Sequence, residues 1–340
     1  MKVLFVGGTG IISTACSRLA VEKGLQVTLL NRSRSGSIPG CAQVVADIND
    51  EPAALAALGG STWDVVVDFL TFTPEQLQSR LRVFGGRCGQ YVFISSASAY
   101  QKPPSNFLIT ESTPLANPYW DYSRNKIACE DLLVKAHREQ GLRMTIVRPS
   151  FTYGHSVFPV AMNSWARSYT VVDRLRRGLP VIIPGDGLTL WTVTHNTDFA
   201  VGLVGLLGHQ GAVGQAFHIT SDEVLTWRQI YEATAAAAGV ESPNLVCVPT
   251  DIIVALNPGY SGPLLGDKVN SMVFDNSKIK RFVPEYRAVV PYSRGITRTV
   301  AWYDADASRR LVDDEANREY DRLVSAYRAG LDAARRAYGA

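Results

Sequence analysis

The chain predicts an α/β protein: a doubly wound parallel sheet with helices on both faces, followed by a smaller substrate-binding part. Three observations lead there. Short β-branched apolar runs alternate with helical patterns over the first half of the 340 residues. Those runs are nearly unbroken in apolar residues, as strands buried on both faces are. A glycine-rich turn, Gly7-Gly8-Thr9-Gly10, follows the first run directly.

Taken in order, strands are expected at 3–6, 27–30, 44–45, 65–69, 91–95 and 144–147, with helices between them, for example over 14–23 and 75–83. Right-handed crossovers wind such a chain into a Rossmann-type sheet whose ligands lie beyond the strand C-termini. The expected division is a dinucleotide-binding part over 1–150 and a mainly substrate-binding part over 151–340, with some segments returning to the main sheet. After residue 150 the pattern loosens, punctuated by Pro180, Pro184-Gly185-Asp186-Gly187 and Asn257-Pro258-Gly259. Near the end, Tyr320, Leu323, Val324, Tyr327 and Leu331 recur at helical spacing, which predicts a packing face on a terminal helix.

Composition excludes several classes. Hydrophobic residues are 46% and charged residues 19%, with a net charge of +3, so neither disorder nor a polyanion-binding stripe is indicated. Arg174, Arg176 and Arg177 read as the solvated end of a helix, and a nucleic-acid partner is not expected. The apolar stretch at 199–207 is far shorter than the ~20 residues a membrane span needs. Five scattered cysteines without a CxxC pair suggest neither disulfides nor a metal site. With a strand starting at once after Met1-Lys2, the expected location is cytoplasmic.

The glycine turn carries the first chemistry. Gly7, Thr9 and Gly10, with Ile11 and Ile12 opening a helix, let the backbone approach a pyrophosphate that sits on free N–H groups. The third glycine of the fingerprint falls at Ser13, which predicts slightly looser strand–helix packing. The second strand ends at Asn31-Arg32, where an acidic residue would hold the ribose diol. Asn31 can bond a hydroxyl, and Arg32 or Arg34 can pair with a 2′-phosphate, so NAD and NADP both stay open. Asp47-Ile48 is expected at the adenine edge, with Phe69 and Ser95 contacting the cofactor from the ends of their strands.

The second chemistry lies in Tyr122-Ser-Arg-Asn-Lys126. Residues four apart share a helical face, so the Lys126 ammonium, together with the positive end of the cofactor, is expected to favour the Tyr122 phenolate. A phenolate can take a hydroxyl proton as hydride leaves the same carbon. Ser96, after the strand at 91–95, is the expected hydrogen-bond partner of the reacting oxygen.

GGTGIIS at 7–13, ADI at 46–48, FISSASAY at 93–100, YSRNK at 122–126, RPSFTYG at 148–154 and GDG followed by HNTDFA at 185–200 together resemble the extended short-chain dehydrogenase/reductase family, the sugar-nucleotide epimerases and dehydratases. The resemblance implies that Ser96, Tyr122 and Lys126 are catalytic, that Lys126 also binds the nicotinamide ribose, and that Pro149 and Ser150 flank the nicotinamide of a tightly bound NAD(P). It also implies a homodimer. Ser98, Phe151, Trp191 and His195 are expected to line the substrate. Phe151 and Trp191 stand where the family commonly has an asparagine and an arginine on the substrate's diphosphate, which suggests a nucleoside, or a nucleotide sugar whose phosphates are held elsewhere. The family's dehydratases carry an Asp-Glu pair where this chain has Ala97-Ser98, so the expected reaction is epimerisation by internal redox. Dehydration with another base such as Cys129, a plain ketoreductase, and a non-enzymatic RNA-binding role, as in stem-loop-binding members that also lack the arginine, are the alternatives.

Overall fold

The computed structural model describes residues 1–33 and 36–339; Arg34 lies outside the described residues. Its centre is a seven-stranded, all-parallel sheet. The strands are β1 (Lys2–Val6), β2 (Gln26–Asn31), β3 (Ala42–Val45), β4 (Trp63–Asp68), β5 (Cys88–Ile94), β6 (Met144–Pro149) and β7 (Gln215–Ile219). They stand in the order β3-β2-β1-β4-β5-β6-β7. The chain runs outward from β1 to β3 and then returns to β4, so the switch point falls between β1 and β4. Ligands of such sheets bind beyond that point.

Alternation along β1 explains the two helical layers. Val3 and Phe5 face a core shared with Cys16 and Ala20 of α1 (Ile11–Glu22) and with Phe199 and Leu203 of a later helix. Leu4 and Val6 face the opposite core, with Leu58 of α2 (Glu51–Leu58), Leu77 of α3 (Pro74–Phe84) and Leu133 of α4 (Asp121–Gln140). The later helix is α5 (Asn196–Leu206), which packs on α1.

Around the strand ends, short paired strands build the second part. Phe151–Tyr153 pairs in parallel with Val193–His195, and Leu190–Trp191 pairs antiparallel with Leu225–Thr226. Helices α6 (Trp227–Ala237) and α7 (Tyr292–Asp304) pack on an aromatic core that includes Tyr153, Trp191, Trp227 and Tyr292, while α8 (Asp314–Tyr338) packs through Tyr320, Leu323 and Val324 on a separate cluster with Met162, Ile182 and Val248. One long-range pair matters for the site: Leu108–Ile109 with Val273–Phe274, which brings the 264–274 segment over the end of the sheet.

The terminal helix corrects one expectation. Tyr320, Leu323 and Val324 are buried, but Leu331 is exposed because α8 runs past the body it packs on. Among the described residues, no helix is long and apolar enough to cross a membrane.

Candidate active site

The glycine loop leaves β1 at Gly7, whose φ of +84° is a conformation side chains rarely adopt. A Cβ on Gly8 would sit 2.4 Å from Leu29 Cδ2, so the loop lies flat on β2. Ser13 does more than loosen the packing. Its hydroxyl donates to Gly7 O at 2.6 Å and accepts from Gly10 N at 2.8 Å, clasping the loop from the first turn of α1. The remaining N–H groups of that turn have no intrahelical acceptor. Asn196 reinforces the loop by donating from Nδ2 to Ile11 O at 2.7 Å.

At the end of β2 the Asn31 Nδ2 is buried with no partner among the described residues, and Arg32 is exposed beside it. Asp47 is exposed and accepts from Asn49 N, while the carbonyl of buried Ile48 is held by Arg80 Nη1 at 2.7 Å. Phe69 lies edge-on to Phe5 at 5.6 Å beyond β4. A glycine loop on a helix N-terminus, with an unpartnered amide at the neighbouring strand end, is chemistry that fits a dinucleotide.

Ser95 is buried, and its hydroxyl donates to Glu130 Oε1 at 2.5 Å, so this side chain is engaged within the protein. Glu130 in turn takes Arg148 Nη2 at 2.5 Å and Nε at 3.0 Å, a buried ion pair that fixes α4 to β6.

On α4, Tyr122 lies between Trp120 and Phe72, at ring distances of 4.9 and 6.4 Å. Lys126 is buried behind it, 5.8 Å from the Tyr122 ring centre. The ammonium donates to Thr71 O at 2.6 Å and Ile94 O at 2.8 Å. Buried Asp68 holds the Thr71 turn by accepting from its N–H and, at 2.6 Å, from its hydroxyl.

The protein's own groups alone do not acidify the phenol. Burial pushes Tyr122 up to about 12; hydrogen bonding to Ser96 works against this, and Asp267 adds to it. Lys126 is itself drawn down to about 8 by burial, partly offset by Asp68. The protein's own groups therefore keep Tyr122 as the neutral phenol. Cys129 is fully buried and its thiol is pushed up to about 12, which disqualifies it as a base.

Ser96 and Tyr122 meet on the wall of a cavity of about 560 Å³ that also touches Ile12, Ser98, Pro149 and Ser150. Ser98 is buried: its hydroxyl accepts from Ser123 at 2.7 Å and sits 2.9 Å from Ser96 Oγ. Ser150 donates to Thr192 O at 2.8 Å. Phe151 and Trp191 line the same cavity; Trp191 stacks on Trp227 at 5.3 Å, and its indole N–H is buried without a partner among the described residues. His195 does not line this cavity. It caps α5, where its Nδ1 accepts from Thr197 N, and burial draws its pKa down to about 4.

Sequence reasoning missed the opposite wall. Asp267 and Lys268, at the end of the Leu264–Lys268 turn, join the cavity with Trp165, Met272 and Phe274. Lys268 is buried, 3.0 Å from Asp267 Oδ2, with the rings of Phe151, Trp165 and Trp120 at 5.4, 5.6 and 5.9 Å. Asn117 ties this wall to the catalytic one by donating to both Ser98 O and Gly266 O.

A family model described as the NAD dependent epimerase/dehydratase family matches residues 3–220. The chain belongs to that family. It is an enzyme of the extended short-chain dehydrogenase/reductase type, and the family is NAD(P)-dependent. Among curated relatives, the chloroplast stem-loop binding protein of 41 kDa b of Arabidopsis thaliana is 27% identical over 260 residues, 72% of this chain. The match spans only 65% of that protein's length. The 2′-dehydrokanamycin reductase of Streptomyces kanamyceticus is 26% identical over 326 residues, covering 95% of this chain and 90% of the reductase. The UDP-glucose 4-epimerase of Thermus thermophilus, solved in complex with NAD, superimposes with a TM-score of 0.70 at 20% identity, over 89% of this chain and 99% of that one. At that identity the likeness shows the fold alone.

Proposed function

We propose that this member oxidises a sugar carbinol and returns the hydride, with net epimerisation, on a substrate that carries no diphosphate in the catalytic cavity. The observation that carries the reading is Ser96 and Tyr122 side by side on a cavity whose only charged lining, among the described residues, is the self-neutralised pair Asp267–Lys268. A diphosphate calls for unpaired cations or bidentate arginine. Here Lys268 is paired and caged by rings, and Trp191 and Phe151 offer apolar faces with one indole N–H donor. That suits a nucleoside or an unphosphorylated sugar.

The residues that would hold the dinucleotide are the 7–12 loop, Asn31, Arg32, Asp47 and Lys126. With Asn31-Arg32 rather than a carboxylate at the end of β2, a 2′-phosphate meets no repulsion, so NAD and NADP are both accommodated. When bound, the nicotinamide supplies hydride acceptance and return. Tyr122 exchanges the proton at the carbinol oxygen, and Ser96 holds that oxygen by hydrogen bonding. Lys126 uses two N–H groups on Thr71 O and Ile94 O, which leaves a third for the ribose. Ala97-Ser98 places no carboxylate beside Ser96, which supports epimerisation over elimination.

A second reading, a ketoreductase, is favoured by the neutral Tyr122 phenol, the form that protonates a carbonyl oxygen, and by the reductase that matches nearly the whole chain. Turnover of a panel of unphosphorylated sugars and nucleosides with cofactor present only at the enzyme's own concentration separates the two. Many turnovers per cofactor support epimerisation. A requirement for one NAD(P)H per product assigns the reductase.

A further inference from the structure

Next to the catalytic cavity lies a second chamber of about 620 Å³, which shares Phe151, Thr152 and Trp165 with it. The two therefore adjoin, with Trp165 bordering both. Its indole is 73% exposed, an unusual setting for so large an apolar group. The chamber's size falls within the range of small-molecule sites.

What distinguishes this chamber is that most of its polar side chains already have partners within the protein. Asn163 donates to Ser168 O, and Ser168 Oγ accepts from Phe158 N. Ser164 donates to Asp313 Oδ2 at 2.6 Å, while Asp313 Oδ1 caps α8 through the N–H groups of Glu315 and Ala316. Asn257 donates to Glu319 and accepts from Gly259 N. Among the described residues, no lysine or arginine lines it. The remaining lining is largely apolar and includes Val157, Phe158, Val160, Met162 and Pro263, with the phenols Tyr260 and Tyr320 among it. A phosphate would find no cation here. A nucleobase would find few free partners for its hydrogen-bonding edge, and each group buried without one weakens binding.

We propose that this chamber is a substrate subsite for an apolar aglycone, a hydrocarbon chain or plain aromatic ring joined to the sugar whose carbinol faces Tyr122. The inference rests on the proposed reading of the catalytic cavity as the sugar site. Trp165 and Phe151 form the passage between the sugar and its apolar substituent, with Trp165 supplying a stacking face at the junction.

Titration of the protein, saturated with NAD+, with methyl, butyl and hexyl β-glucoside by calorimetry and tryptophan fluorescence tests this. Affinity is expected to rise by about tenfold or more from methyl to hexyl, since each buried methylene contributes on the order of a two- to fourfold gain. Ala316→Trp fills the chamber from α8 and is expected to flatten the series without changing NAD+ affinity. Trp165→Ala, a less intrusive change at an exposed position, is expected to reduce the hexyl gain as well. Three results would overturn the subsite: no binding of hexyl glucoside, affinity independent of chain length, or a chain-length gain that survives in both folded variants. Tighter binding of thymidine or uridine than of hexyl glucoside would assign the chamber to a nucleobase instead and also overturn it. Because the assay reads binding alone, its failure leaves the hydride-transfer reading to be judged by the turnover experiment.

Discussion

In the proposed mechanism Tyr122 and Lys126 divide the chemistry between them, and each role has its own test. The phenol sits against Ser96 on the cavity wall, placed to exchange a proton with a bound carbinol, so Tyr122→Phe should lower turnover by about 10²-fold or more. The dinucleotide affinity of that variant, measured by fluorescence, should stay near wild type; unaltered turnover would remove the phenol from the mechanism. Lys126 adds a pH dependence whose sign follows from its hydrogen bonds. As an ammonium it has three N–H groups, two of them on Thr71 O and Ile94 O; as an amine it has only those two. Its pKa is lowered to about 8, so the third donor is present below that pH and lost above it. Dinucleotide affinity should fall as pH rises through about 8, and Lys126→Met should bind weakly with no such step. A wild-type affinity that is flat through this range would contradict the assignment.

At the level of the elements, the position of α4 depends on the buried Glu130–Arg148 pair joining it to β6, with Ser95 completing the carboxylate's hydrogen bonds. Removing one partner strands a buried charge. Arg148→Met should therefore cost about 3–5 kcal/mol in urea unfolding, whereas Glu130→Met combined with Arg148→Met should recover most of it. Equal losses in the single and double variants would mean that the pair does not act as a unit. The same logic accounts for the Ser95 side chain: a serine at a strand end turns either to a ligand or to the sheet's own network, and its hydroxyl is engaged by Glu130, 35 residues away. His195 follows the pattern, since its place at the head of α5 converts a candidate ligand contact into a helix cap.

For the molecule as a whole, contiguous stretches of chain made the fold and half the site legible. The glycine loop, the serine cluster and the Tyr122/Lys126 spacing each lie within a few residues and carry their geometry with them. The other half was not legible, because Asp267, Lys268 and Trp165 have no local pattern of their own. Asp267 and Lys268 reach the cavity through long-range contacts, the Val273–Phe274 pairing and Asn117's bond to Gly266 O, and Trp165 meets it through the ring of Phe151 and the ammonium of Lys268. The phenol's electrostatics were hidden for a related reason: spacing places an ammonium nearby but says nothing about the burial that raises the phenol's pKa. The central claim is that the glycine loop and the Ser96/Tyr122/Lys126 wall serve one bound dinucleotide. A crystal structure of the protein with NAD+ tests it most directly. The account predicts the pyrophosphate on the 7–12 loop, a Lys126 N–H on the nicotinamide ribose, and the nicotinamide ring against Pro149, leaving room for a carbinol within roughly 3–3.5 Å of both its reactive carbon and the Tyr122 hydroxyl. A nicotinamide ring lodged away from Tyr122, or a dinucleotide that bypasses the glycine loop, would contradict it.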